Sequence, residues 1–477
     1  MPHRRRSAAQ TGRPAVAVVR RLASSGLALA LAWAAGGCAH APQCRCPPVE
    51  PAATASPAPR RAPGPPAPQR LQPTPAPEPA PAAPPAPREV IRVRLAAVGD
   101  VIPHGDVLRA AAAADRRDAQ GRSLNNAGFD ALLAGVRPAL ADADLTFANL
   151  ETPVAPASGS RTIPFRFNAP PALLAALWHL GVRLVSVANN HIYDQQRAGL
   201  VESLRRLDRS GLVYAGAGRT CERAYAARHF ELQGIRFALL AASGLYNRDL
   251  NAAADAPCAA ELDERRLLAG VRRARLAGAE LVLLSLHWGD EYHTRPSAAQ
   301  IALAHRLLDG GVDVLLGHHP HVLQPVEVYR AADGRICLVA YSLGNFLSNQ
   351  SRFYVHGLQP EKMGHPRDGV VLRFSAVRKD YGEGPGPVEL ADLSLQPLWT
   401  QNNALERRRQ AKLPVIIRVL VSDFERAALE GRLAEAKRPA ERRALLRRIA
   451  LLRDRRRIAG AILGADLLAE PLPAGGP

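Results

Sequence analysis

Val182-Arg183-Leu184-Val185-Ser186-Val187 runs straight into Ala188-Asn189-Asn190-His191, and this junction decides how the chain folds. A short run rich in Val and Leu reads as a buried strand. The amides and imidazole at its end would be costly to bury without partners. Four other runs finish in the same way. Leu95 to Val98 leads into Gly99-Asp100 and then His104, and Leu145-Thr146-Phe147 leads into Asn149-Leu150-Glu151. Leu281 to Leu286 leads into His287-Trp288-Gly289, and Val312 to Leu316 into Gly317-His318-His319-Pro320-His321. In open α/β sheets ligands collect outside the carboxyl ends of strands, so strands ending on one edge would bring these groups together.

Outward from these junctions, apolar runs alternate with Ala/Leu/Arg stretches of helical period. Strands are predicted at 91–98, 145–149, 182–187, 235–241, 280–286 and 312–316, then near 322–329, 336–342 and 369–374. Helices are predicted near 126–141 and 170–180, and at 195–209, 263–277 and 297–309. The alternation predicts an α/β domain with buried sheets over residues 89–400. Ser342-Leu343-Gly344-Asn345-Phe346 reads either as a tight turn or as a loop presenting Asn345 to a site. Trp288 and Tyr292 either stack on a ligand or wall a pocket.

The ends of the 477-residue chain differ from its middle. Residues 1–37 carry six Arg and no acid, and their apolar stretch Leu22–Gly37 is short for a membrane span. That pattern predicts a signal peptide. Ala35-Gly36-Gly37-Cys38 resembles a lipoprotein box and predicts a lipidated Cys38 that tethers the chain to a membrane. The alternative is plain secretion, with Cys38 pairing with Cys44 or Cys46. Residues 38–88 form a Pro/Ala-rich linker, a polyproline stalk or an unstructured leader. Residues 401–477 predict a basic helical extension. Ser422-Asp423-Phe424-Glu425 has the form of a capping box, and Leu445, Leu446, Ile449, Leu452 and Ile458 form an apolar stripe. The first reading packs this hairpin on the core, and the alternative puts it against anionic lipid or an acidic polymer.

Of the formal net charge of +19, most lies at the two ends, leaving the middle near neutral. A nucleic-acid partner is therefore not expected. Cys221, Cys258 and Cys337 show no metal-ligand spacing. An exported chain is able to join Cys221 to Cys258, but sequence alone does not decide it.

Carboxylates mixed with imidazoles and an amide suit Zn²⁺, Mn²⁺ or Fe better than the all-oxygen sites of Ca²⁺ or Mg²⁺. One or two such ions sharing a carboxylate would activate water and stabilise a displaced oxygen. A lone histidine is more often a packing residue, and His318 has that reading. The joint occurrence of polar groups at five strand ends is what points to a site.

Taken together, Gly99-Asp100 with His104, Asn149-Leu150-Glu151, Ala188-Asn189-Asn190-His191, His287-Trp288-Gly289 with Glu291-Tyr292, Gly317 to Val322 and Ser342 to Phe346 resemble the CapA (PgsA) family of poly-γ-glutamate capsule synthesis. That family is similar to the calcineurin-like metallophosphatases. The resemblance implies a four-layer α-β-β-α sandwich. It implies Asp100, Glu151, Asn190, His287, His319 and His321 as ligands of a divalent metal, with Glu151 in a bridging position. His191 would protonate a leaving group, and Asn189 is a second catalytic candidate. His104 is a further metal candidate, although phosphatases place a histidine two residues after the first aspartate, where this chain has Ile102. The implied role is synthesis, export or attachment of an anionic polymer such as poly-γ-glutamate, with capsule synthase subunits as partners. If the protein is catalytic, metal-assisted hydrolysis or transfer is expected; the alternative is a non-catalytic polymer-binding or assembly subunit. The expected location is the cell envelope, on the periplasmic side of an outer membrane where the cell has one.

Overall fold

Side chains alternate across a strand, and along β1 (Arg88–Val101) this alternation sets the layers. Leu95 and Ala97 point into one apolar cluster with Phe237, Leu283 and Leu316, whereas Ala96 and Val98 point into another with Phe129, Leu173 and Leu204. β1 is therefore buried on both faces. In the computed structural model, residues 88–469 are described apart from Asp249, Ala252 and Glu383. The predicted signal peptide, Cys38 and the Pro/Ala tract up to residue 87 lie outside the described residues.

The following strands are β2 (Leu145–Leu150), β3 (Val182–Ser186), β4 (Val213–Ala215), β5 (Ala217–Gly218), β6 (Arg228–Leu232), β7 (Ile235–Ser243), β8 (Cys258–Ala259) and β9 (Leu281–His287). Then come β10 (Val314–His318), β11 (Val326–Arg330), β12 (Ile336–Ala340), β13 (Asn345–Leu347), β14 (Asp368–Asp380), β15 (Pro385–Asn402) and β16 (Ile417–Val421). One sheet has the order β16-β15-β14-β1-β2-β3-β4, with β13 beside the end of β1; the other has the order β11-β12-β10-β9-β7-β6. β1 to β4 run parallel, as do β7, β9, β10 and β12.

The two sheets share the cluster that holds Leu95 and Leu283. The outer face of the first sheet is covered by helices Ala172–Leu180 and Gln196–Ser210, and that of the second by Glu264–Leu276 and Ala298–Asp309. This is the four-layer α-β-β-α sandwich. It places the carboxyl ends of the parallel strands from both sheets around one site.

Several local expectations change. The helix predicted near 126–141 is a chain of short turns, because Asn126, Ala127 and Gly128 adopt positive φ and Gly135 lies against the backbone of β16. An Ala-rich helix, Gly105–Ala114, follows β1 instead. The boundary drawn at 400/401 falls inside β15, and β16, from the extension, forms an edge of the larger sheet.

The extension then continues into helices Ser422–Glu435 and Pro439–Leu463. Leu445, Ile449 and Leu452 pack with Leu429 against Tyr354 and Trp399, whereas Leu446 is 50% exposed and lies outside that stripe. The capping box is not formed: no side chain caps the first helix, and Asp423 pairs with Arg456 instead. Buried Arg455 holds Asp368 with both arms of its guanidinium, Nε lying 2.8 Å from Oδ1. Cys221 and Cys258 are joined, with Cα atoms 4.9 Å apart, which settles the pairing left open by sequence. Among the described residues no helix is long and apolar enough to cross a membrane.

Candidate metal centre

β1 can deliver Asp100 to the site only because Gly99 lacks a side chain: a Cβ there would stand 1.9 Å from the carbonyl oxygen of Gly344. That close approach lets Asp100 N donate to Gly344 O at 3.0 Å. The buried Asp100 carboxylate takes Asn149 Nδ2 at 2.8 Å and the Nδ1 atoms of His318 and His321 at 3.1 Å each. Burial opposes its charge, yet the hydrogen bonds from His318 and His321 hold the carboxyl well below its ordinary pKa.

Glu151, one residue past β2, is in the opposite condition. It is wholly buried and neither carboxylate oxygen has a hydrogen-bond partner. Around its Oε1 stand the Nε2 atoms of His321, His287 and His191, at 3.7, 3.8 and 3.9 Å. Burial first, and then the charges of Asp100, Glu291 and Asp194, push this carboxyl well above its ordinary range.

The other groups flank this cage. Asn190 Oδ1 lies 2.9 Å from His287 Nε2. His319 buries an Nδ1 atom that has no partner. Burial and then neighbouring imidazoles hold His287 well below its usual pKa and lower His319 to about 4, so both rings present lone pairs at neutral pH. His319 (φ 96°) and His321 (φ 57°) both occupy left-handed backbone, a conformation costing on the order of 1–3 kcal/mol that concentrates at functional sites. Asn345 braces the loop by donating to His321 O at 3.2 Å and to Pro366 O at 2.8 Å, while its buried Oδ1 has no hydrogen-bond partner.

These residues fit a divalent cation. Nitrogen and oxygen ligands about 2.0–2.2 Å from Zn²⁺ stand roughly 3.4 Å apart in a tetrahedron, close to the spacing around Glu151 Oε1. Two sets of donor atoms each lie within 4.8 Å of one another: Asp100, Glu151 and His321, and Glu291, His319 and His321.

His191 Nδ1 lies 2.8 Å from Asp194 Oδ2, which also accepts Phe167 N at 2.6 Å. The dyad thus fixes the ring and the loop beside it together. The amide of Asn189, the second catalytic candidate, donates to Leu150 O and accepts from His191 N, so it shapes the turn that carries His191. His104 belongs to neither ligand set: it accepts Asn349 N at 3.3 Å and packs against Phe167, while burial and then His321 and His191 lower its pKa to about 3. It lines a cleft of about 1000 Å³ that opens over His191, His321 and Glu291.

The sequence profile of the bacterial capsule synthesis protein family PGA_cap matches residues 94–350. The chain belongs to that family. It is 29% identical over 234 residues to the capsule biosynthesis protein CapA of Bacillus anthracis, covering 48% of this chain and 56% of that protein. It is 28% identical over 228 residues to the PGA biosynthesis protein CapA of Bacillus subtilis (strain 168), covering 47% and 58%. The chain thus spans little more than half the length of these relatives. Among solved structures, NAD nucleotidase of Haemophilus influenzae aligns at TM-score 0.37 and 12% identity over 76% of this chain and 60% of that one. A calcineurin-like phosphoesterase of Bacillus subtilis aligns at TM-score 0.34 and 10% identity, over 64% and 90%.

In this PGA_cap chain, sequence reasoning passed over Asp194 and Asn247, and it quoted Glu291 within a motif without giving it a ligand role. Asp194 is three residues after His191 and Glu291 four after His287, spacings that offered a signal. Asn247 bonds Asn190 at 3.2 Å and His191 at 3.3 Å from a loop with no strand or motif to announce it. His318, read as a packing residue, sits directly on Asp100.

Proposed function

We propose that this protein is an envelope-anchored, metal-dependent member of the capsule machinery that acts on an anionic polymer such as poly-γ-glutamate, in its synthesis, export or attachment. The observation that carries the metal reading is Glu151, a buried carboxylate with both oxygens unpartnered among three imidazoles. Asp100, Glu151, Asn190, His287, His319 and His321 would hold one or two ions of Mn, Zn or Fe. When bound, such an ion supplies Lewis-acid stabilisation of oxygen charge and a more acidic water. His191, oriented through Nδ1 by Asp194, directs Nε2 toward the cage and carries a proton for a leaving oxygen or nitrogen. His104 and Phe167 wall the cleft beside it. The family membership and the CapA relatives support the polymer assignment and a partnership with capsule synthase subunits. The Cys221–Cys258 bond supports export, since such bonds persist in oxidising compartments. Export fits a lipidated Cys38.

Ile102 favours a second reading. It is a buried apolar residue where phosphatases place an imidazole, so the centre has one ligand fewer and suits an assembly subunit with a single structural ion. Metal analysis of the 81–477 unit decides between these readings. The enzymatic reading expects stoichiometric transition metal that is lost in Glu151→Gln, together with loss of polymer production in cells carrying that variant. Metal bound and polymer production intact in Glu151→Gln would leave the assembly role. No transition metal after reconstitution would remove the metal centre.

A further inference from the structure

Exposed apolar side chains gather at the mouth of the cleft. Arg161-Thr162-Ile163-Pro164-Phe165-Arg166 forms a tight reversal closed by the pairing of Ile163 with Arg166, and its tip residue Phe165 is 88% exposed. Phe353 and Met363 are exposed on the cleft's other wall, and Leu358, between them in sequence, is 82% exposed. Exposed apolar side chains are ordinarily scattered singly, and their gathering marks an interaction surface.

The charge around them is net positive, three arginines against the carboxylates of Asp106 and Glu291. Arg109, Arg161 and Arg352 line the same cleft. Arg109 and Arg352 share one carboxylate, Asp106, and Glu291 lies beside His321, so the lining keeps a net positive charge carried at its rim by Arg161. No acidic residue occurs in 160–166 or 351–360, and Glu361, which follows before Met363, is paired with Arg457.

We infer that this mouth docks on an anionic membrane surface, with Ile163 and Phe165 entering the headgroup region and Arg161 and Arg352 meeting lipid phosphates. A polyanion offers carboxylates but almost no hydrocarbon to cover Phe165 and Leu358, whereas an anionic bilayer supplies both. Apolar residues on separate loop tips suit a fluid surface better than the flat, continuous face that a folded partner presents. Substrate would then reach Glu151 and His191 from the membrane side. The inference rests on reading the cleft as the substrate entrance.

The test uses the 81–477 unit, which is compact by itself and contains every core cluster among the described residues. It is sedimented with vesicles of phosphatidylglycerol mixed with phosphatidylcholine, and with phosphatidylcholine alone. The expected result is binding to the anionic vesicles that weakens about tenfold in the double variant Ile163→Ser/Phe165→Ser, the loss of two modest apolar insertions. It should also weaken in high salt, with the melting temperature of the variant unchanged. No binding to anionic vesicles overturns the inference, as does equal binding by wild type and double variant. A double variant that keeps vesicle binding and loses retention on polyglutamate assigns the tip to the polymer instead. Metal content of Glu151→Gln is measured in parallel, so the metal centre stands or falls separately.

Discussion

Two buried carboxylates, Glu151 and Asp368, divide the molecule by role. Asp368 opens β14 and gives both oxygens to Arg455 of the last long helix. Glu151 is as deeply buried and gives its oxygens to nothing among the described residues. A buried charge that is fully paired holds structure together, and removing one partner strands the other. A buried carboxylate left open within a ring of imidazoles contributes nothing until a cation arrives. The difference separates the extension, where a buried charge is paired, from the strand ends, where one is left unpaired.

The sharpest way to break the comparison is to unpair Asp368. Arg455→Ala should lower stability by about 3–5 kcal/mol, the cost of leaving one member of a buried pair, as read by chemical denaturation. Stability within error of wild type would mean that the pair carries no structural weight. Next comes the cation. Mn²⁺ or Zn²⁺ at 100 times its dissociation constant should stabilise the 81–477 unit by about 2.7 kcal/mol, and Glu151→Gln should abolish that gain while leaving the metal-free melting temperature equal or higher. A gain surviving in Glu151→Gln would move the ion elsewhere.

Acid should act on the metal-free site in a definite direction. His319 is lowered from 6.5 to about 4, by burial first and His321 second. The unfolded chain takes up this proton near pH 6.5 and the folded chain only near 4, so stability present above 6.5 declines between these values, by about 1.4 kcal/mol per pH unit. Urea titrations of wild type and His319→Asn across that window should differ in slope, and identical slopes would rule out this source. The smallest effect belongs to Leu446, half exposed beside the buried stripe: Leu446→Ala should cost less than about 0.5 kcal/mol. A larger loss would place it in the extension's core.

The site was legible in the sequence where chemistry followed a strand. An apolar run ending in Asp, Glu, Asn or His is visible without coordinates, and Asp100, Glu151, Asn190, His287, His319 and His321 all come from such junctions. Asn247 was hidden because a loop delivers it. The backbone bonds of Asn189 and His104 were hidden too, because residue type does not show which side chains backbone engages. The α/β class followed from alternating strands and helices, whereas the four-layer arrangement came from the family resemblance. β15 was missed because Pro385, Pro387 and Pro397 break its strand pattern and its burial is mixed. The capping box failed because Asp423 had a stronger partner in Arg456.

Asn345 has a consequence for how the chain's end can be studied. Its amide props His321 from below and rests on Pro366, two residues before the Asp368 that Arg455 grips. Cutting off the final helices to test their charge would also pull away the footing of the imidazole loop, and a lost activity would be misattributed to lost arginines. Charge reversal at Arg443 and Arg447, which are exposed on that helix, leaves the footing in place and isolates the electrostatics.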